Sequence, residues 1–122
     1  MTGSRAIPIH VHGALEVLAA PLLLVAPFAL GFSVPAGALS LAIAVLLVGL
    51  AASIYGGHGA RGTLPLAAHA GFDYILAGAA IVLGLLVGFA AGDEIAALFM
   101  VAFGCAHLGL TASTRYSRPL GA

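Results

Sequence analysis

The sequence predicts an all-α membrane protein with four transmembrane helices, arranged as two repeated helical hairpins with both termini in the cytoplasm. Three observations predict it. Of 122 residues, 62% are hydrophobic and 7% charged, where a soluble domain carries roughly 25% charged residues. The uncharged stretches are long enough to cross a hydrocarbon core about 30 Å thick, which takes about 20 apolar residues. The arginines and the acidic pair Asp93-Glu94 fall at opposite ends of the bundle those stretches would form. With a mean hydropathy of +1.19, a soluble domain this small would have too few charges to cover its surface. Disorder is excluded because it needs low hydrophobicity and high charge. Four arginines, no lysine and a net charge of +0 form no phosphate-tracking patch, which argues against nucleic acid.

Helices are expected near 10–32, 36–55, 65–90 and 94–114, in a single membrane domain spanning 1–122. The first repeat covers about 10–55, a loop 56–64, the second repeat about 65–114, and a tail 115–122. Val17 to Ala60 is a run of 44 residues without Asp, Glu, Lys or Arg, enough for two spans. Phe32-Ser33-Val34-Pro35-Ala36-Gly37 supplies the turn between them. Pro35 and Pro65 suit a first helical turn, where a missing N–H costs nothing, and Pro21 and Pro27 are expected to kink the first helix. Gly56-Gly57-His58-Gly59 ends the second. Tyr74 to Gly92 gives an uncharged run of 19 residues and Ile95 to Thr114 one of 20. Asp93 is placed to cap the fourth helix, with Glu94 favoured by the helix dipole.

Orientation follows from Arg5, Arg61, Arg115 and Arg118, which lie on the two termini and the central loop. By the positive-inside rule these segments face the cytoplasm of the inner membrane, and no cleavable signal peptide is expected. Gly78, Gly84 and Gly88 form a GxxxG-like stripe on the third helix, expected to pack against the first helix; the alternative is a homo-oligomer interface. Cys105 lies within a span, has no partner for a disulfide or a CxxC pair, and reads as a small buried hydrophobe.

An offset of 57 superposes residues 12–32 on 69–89 with five identities: His12/His69, Ala20/Ala77, Val25/Val82, Gly31/Gly88 and Phe32/Phe89. Glu16 falls on Asp73, and Pro21 and Pro27 fall on Gly78 and Gly84. Leu50-Ala51-Ala52-Ser53 resembles Leu110-Thr111-Ala112-Ser113 at an offset of 60, so a small length change lies between. This is the pattern of a parallel repeat about an axis along the membrane normal. The His-Gly-x-x-Glu start, the Ala26-Pro27-Phe28 and Leu30-Gly31-Phe32 segments, and the second copy led by His69-x-x-x-Asp73 resemble the small bacterial SPW-repeat family. That resemblance covers roughly 10–115 and implies a four-span protein with two such units, but no activity. The Ser-Pro-Trp signature itself reads Ala26-Pro27-Phe28 and Leu83-Gly84-Leu85 here.

Ionisable groups inside a span are costly and seek partners. His12 and Glu16 share one face of the first helix, as do His69 and Asp73 on the third. His107 lies about 12 Å along the fourth helix from Arg115. The repeat axis would gather these five, with Thr111 nearby, into one cytoplasmic-side cluster. Imidazoles and carboxylates together suit zinc or non-haem iron, two histidines on facing helices suit a b-type haem, and a metal-free layer suits proton or cation passage. The plain alternative is structural hydrogen-bond glue between helices. The Glu-x-x-His spacing of diiron bundles is absent. His10 and His58 read as interfacial or loop residues, Arg115 as a phosphate-level anchor, and Tyr74 as core or interface.

No nucleophile–base pair or phosphate loop is present, since Gly56-Gly57-His58-Gly59 lacks the P-loop lysine; an enzyme is therefore the less favoured class. The complete charge bias and the internal repeat also separate the chain from small multidrug-resistance transporters. The sequence thus points to metal or cation binding by His12, Glu16, His69, Asp73 and His107. The alternatives are an accessory or scaffold protein with structural His/acid pairs, and a small oligomeric proton or cation channel. The expected partners are the bilayer and either further copies of the chain or a larger membrane protein.

Overall fold

The computed structural model describes residues 5–55 and 64–117. His58, Arg61, Arg118 and most of the 56–64 loop lie outside them. The chain forms α1 (Ile9–Ala29), α2 (Val34–Tyr55), α3 (Leu66–Ala91) and α4 (Glu94–Ala112). All four are long and apolar enough to cross a membrane; at 1.5 Å per residue, α1 alone is about 32 Å long. One departure from the all-α expectation is a short parallel pair, β1 (Ile7–Pro8) with β2 (Thr114–Arg115), in which Ile7 faces Thr114 and Pro8 faces Arg115. It arises because both ends of the four-helix chain return to the same end of the bundle, where the N–H of Ile7 also bonds the carbonyl of Ser113 at 3.0 Å.

The first helix stops at Ala29, three residues short of the expected end. Gly31 adopts φ +67°, and the N–H of Phe32 returns to the carbonyl of Pro27 at 2.9 Å, a Schellman-type stop that only glycine makes without strain. The matching left-handed residue in the second hairpin is Gly92, at φ +66°. Gly88, the residue aligned with Gly31, lies inside α3, so α3 continues about one turn further than α1. α3 ends five residues beyond the position aligned with the end of α1, and the link that follows is two residues shorter, which together give the change of three between the offsets of 57 and 60.

Pro27 lacks the N–H that would bond the carbonyl of Leu23. The buried hydroxyl of Ser40 on α2 donates to that carbonyl instead, at 2.6 Å. The gap left by proline thereby becomes a link between the helices of the first hairpin. Gly37 lies beside this link, where a Cβ would make only an ordinary contact of 3.5 Å with the Cβ of Pro27.

Of the α3 glycine stripe, Gly84 and Gly88 face α4, not α1, while Gly78 is exposed and a Cβ there would meet nothing within 4 Å. A Cβ at Gly84 would lie 2.9 Å from Met100 Cβ, one at Gly88 2.8 Å from Ala97 Cβ, and one at Gly104 2.8 Å from the carbonyl of Ala77. The link of α3 to α4 is only Gly92-Asp93, which forces the two helices side by side, so the small residues serve that contact. Between the hairpins the core is built from Leu23, Leu47, Leu76 and Met100. Leu18, Phe28, Val45, Ile75, Phe89 and Leu98 point outward, an apolar surface suited to lipid. Cys105 belongs to that outward face as well, because it follows Gly104, which occupies the α3 contact; the buried reading of the cysteine is corrected.

At the turn end, Asp93 does two things. Its Oδ1 accepts from the N–H of Ala96 at 3.1 Å, capping α4, and its Oδ2 accepts from the N–H of Ser33 at 2.7 Å, joining the two hairpin turns. The Ser33 and Ala96 N–H groups lower the Asp93 pKa.

Two outcomes are expected. Ser40→Ala leaves the Leu23 carbonyl buried and unpaired, so it destabilises by about 1–3 kcal/mol, and the loss shrinks in a Pro27→Ala background that restores the helical N–H; a double-mutant cycle in detergent measures this. For Asp93 the folded pKa lies below the unfolded one, so its stabilisation is complete above about pH 4 and is lost as pH falls through the folded value. Asp93→Asn therefore lowers thermal stability at pH 7 and makes the decline below pH 4 shallower than in the parent chain.

Candidate metal centre

Helical periodicity places His12 above Glu16 on α1 and His69 above Asp73 on α3, and packing of the two hairpins turns both pairs inward. All four side chains are fully shielded. His12 Nε2 lies 2.5 Å from Glu16 Oε1 and 2.9 Å from Asp73 Oδ2. His69 Nε2 lies 3.0 Å from Glu16 Oε1 and 3.2 Å from Asp73 Oδ2. Each imidazole thus reaches both carboxylates, its own helix's and the opposite one. One ligand atom from each of the four residues falls within 4.8 Å of the others.

The far sides of the two rings are held in matching ways. Thr114 Oγ1 donates to the carbonyl of Leu110 at 2.6 Å and lies 2.8 Å from His12 Nδ1. Ser53 Oγ donates to the carbonyl of Leu50 at 2.6 Å and lies 3.0 Å from His69 Nδ1. A hydroxyl has one proton to give. With that proton on the carbonyl, each oxygen accepts from Nδ1–H, and each Nε2 is left facing carboxylate oxygens. Orientation of a ligating imidazole through its other nitrogen is the usual second layer of a metal site.

Asp73 is the more heavily engaged acid. Its Oδ1 meets His107 Nε2 at 3.2 Å, and its Oδ2 accepts from the Tyr116 hydroxyl at 2.7 Å. His107 is itself stacked on Phe103, with ring centroids 5.6 Å apart. Burial, then the Asp73 carboxylate, pushes the Tyr116 pKa up, so the phenol remains a donor. Glu16 has no equivalent support: its Oε2 is buried without a hydrogen-bond partner.

The structure therefore brings together all five residues expected from the sequence, in two ranks. His12, Glu16, His69 and Asp73 converge on one point, while His107 is kept to the outer side of Asp73 and is not part of the four-atom set. Zinc bonds of 2.0–2.2 Å to nitrogen and oxygen need ligand atoms about 3.3 Å apart in a tetrahedron, so the His–carboxylate contacts of 2.5–3.2 Å would open slightly and the widest separations in the set, within 4.8 Å, would close around an ion. A haem does not fit: carboxylate oxygens stand within 3.2 Å of both Nε2 atoms, where the porphyrin plane would have to lie. His10, Arg115 and Tyr74 are exposed and stand outside the cluster.

Ser53, Thr114 and Tyr116 are the residues that sequence reasoning missed. The alignment of Leu50–Ser53 with Leu110–Ser113 pointed to the right carbonyls but to the wrong hydroxyl. Ser53 bonds back three residues inside α2, whereas Thr114 bonds back four from beyond the end of α4, so Ser113 is passed over. Tyr116 carried no signal, being four residues past the last helix. No protein-family profile, characterised protein or solved structure matches the chain.

Tyr116→Phe removes one donor from a buried carboxylate and is expected to destabilise by about 1–3 kcal/mol. With its folded pKa above the unfolded value of about 10, Tyr116 stabilises below that pH and loses its contribution as pH rises through the folded value. A spectrophotometric titration should show one tyrosine ionising well after the others, and that late step should vanish in Tyr116→Phe.

Proposed function

We propose that this chain is a metal-binding membrane protein in which His12, Glu16, His69 and Asp73 hold one divalent transition-metal ion, zinc or iron, near the cytoplasmic face of the inner membrane. The observation that carries the proposal is the pair of hydroxyls, Thr114 and Ser53, whose protons are committed to carbonyls. They turn both Nε2 atoms toward two buried carboxylates. Two carboxylates buried in a low-dielectric interior need compensating positive charge, which a divalent ion held between them and the two imidazoles supplies.

Charge and ligand type support the same reading. Two neutral imidazoles and two carboxylates carry a charge of −2, which a divalent ion cancels. Mixed nitrogen and oxygen donors suit zinc and iron better than the oxygen-only sets of calcium or magnesium. A bound ion would supply Lewis-acid chemistry, or one-electron chemistry in the case of iron. Arg5 and Arg115 lie at the cluster's end of the bundle, which by the positive-inside rule sets that end toward the cytoplasm.

The test is metal analysis of the full chain in mild detergent, stripped with chelator and reloaded with zinc. About one zinc per chain is expected, and His12→Ala/His69→Ala should retain none. Thr114→Ala and Ser53→Ala, which remove the orienting hydroxyls and no ligand, should each weaken zinc about 10–100-fold. A fully helical, monodisperse chain that takes up neither zinc nor iron overturns the proposal in favour of protonated, purely structural His/carboxylate pairs.

A further inference from the structure

The two places where the hairpins meet are built alike and finished differently. Between α2 and α3 lies a groove of about 420 Å³ walled by aliphatic and aromatic side chains, among them Ile43, Leu50, Phe72 and Leu76. Between α1 and α4 lies its counterpart, of about 230 Å³, with Leu15, Ala19, Phe103 and Leu110 at the matching positions. The offsets of 57 and 60 convert one set into the other. The α1–α4 groove, however, also has Glu16 and His107 in its wall, and so borders the His/carboxylate cluster.

The difference traces to one position. His107 corresponds to Leu47 at an offset of 60. In the second repeat, His107 satisfies the outer oxygen of Asp73 at 3.2 Å. In the first, Leu47 offers the outer oxygen of Glu16 nothing, and Oε2 of this 1%-exposed residue is left buried without a partner. An unpaired carboxylate oxygen in an apolar surrounding is expensive, and here it belongs to a residue lining the groove.

We propose that the α1–α4 groove binds a small, neutral, membrane-soluble molecule with a hydroxyl head, an alcohol or a phenol, whose O–H donates to Glu16 Oε2 while its apolar body lies against Leu15, Ala19, Phe103 and Leu110. The chemistry follows from the walls. A donor is required by Glu16 and an apolar body by the rest of the groove. A neutral molecule is required because the cluster with its divalent ion is already neutral, and on this point the inference rests on the metal reading above. The volume is below the roughly 300–1,000 Å³ of pockets for drug-sized ligands, which limits the occupant to about one ring or a short chain.

The test compares 4-fluorophenol with fluorobenzene, which lacks the hydroxyl, by ¹⁹F NMR on the full chain in lipid nanodiscs, with empty nanodiscs as the partition control. Zinc content is measured on the same samples. Zinc-loaded protein should bind 4-fluorophenol at least about tenfold more tightly than fluorobenzene, the scale of one hydrogen bond to a charged group. Ala106→Phe, which fills the groove from a lipid-facing position and removes no ligand, should abolish that preference and leave zinc content unchanged. Equal binding of the two probes, no binding of either, or an undiminished preference in Ala106→Phe overturns the proposal. A sample that takes up no zinc at all counts against the metal reading instead, so the two failures are told apart.

Discussion

Two carboxylates buried against two imidazoles are the constraint around which this bundle is arranged. Removing a charged carboxylate from water costs several kcal/mol even after relaxation, and two of them within reach of the same nitrogen atoms also repel each other. The fold meets that cost by crossing the partners: each histidine faces both the acid on its own helix and the acid on the other hairpin. Each acid has a histidine partner on its own helix, and each histidine also reaches the acid of the other hairpin. The polar cluster therefore ties the two hairpins together through the faces that carry it.

The remaining contacts are consistent with that demand. The first hairpin is linked by the Ser40 hydroxyl on the Leu23 carbonyl, whereas inside the second, close packing comes from small residues, Gly84, Gly88 and Gly104. Such contacts let backbones approach and gain dispersion energy where lipid offers no hydrophobic driving force between helices. Between hairpins the packing is supplemented by polar ties at both ends. Asp93 binds the two turns at one end, and the β1–β2 pair together with the Thr114 and Tyr116 contacts closes the other. The seams between those ties remain open enough to form grooves, one purely apolar and one reaching the cluster.

The near-repeat of the two halves explains both the symmetry of the cluster and where it fails. His12 with Thr114 and His69 with Ser53 make the same contacts from opposite sides. Asp73, shorter than Glu16 by one methylene, has gained His107 and Tyr116 as partners, while Glu16 keeps one oxygen unpaired. The two copies differ most tellingly at positions 47 and 107, where a leucine in the first stands against the histidine that meets Asp73 in the second.

Much of this could be read from composition and spacing. The four spans follow from the lengths of uncharged sequence, because hydrocarbon thickness sets a minimum that the chain meets four times. The pairs His12/Glu16 and His69/Asp73 follow from helical period, and their convergence follows from the repeat. The Asp93 cap was legible as well, its chemistry being local to one helix end. What lay beyond reach was the particular partner that each remaining group meets across the bundle. The partner of the glycine stripe was decided by a two-residue link, and the carbonyl orphaned by Pro27 found a hydroxyl on another helix. The orienting hydroxyl of His12 lies 102 residues away, and Tyr116 reaches Asp73 from outside the last helix. Local periodicity tells which face of a helix is polar, whereas the identity of the group that meets it depends on how far each helix runs before it turns, and that is settled only when the whole bundle packs.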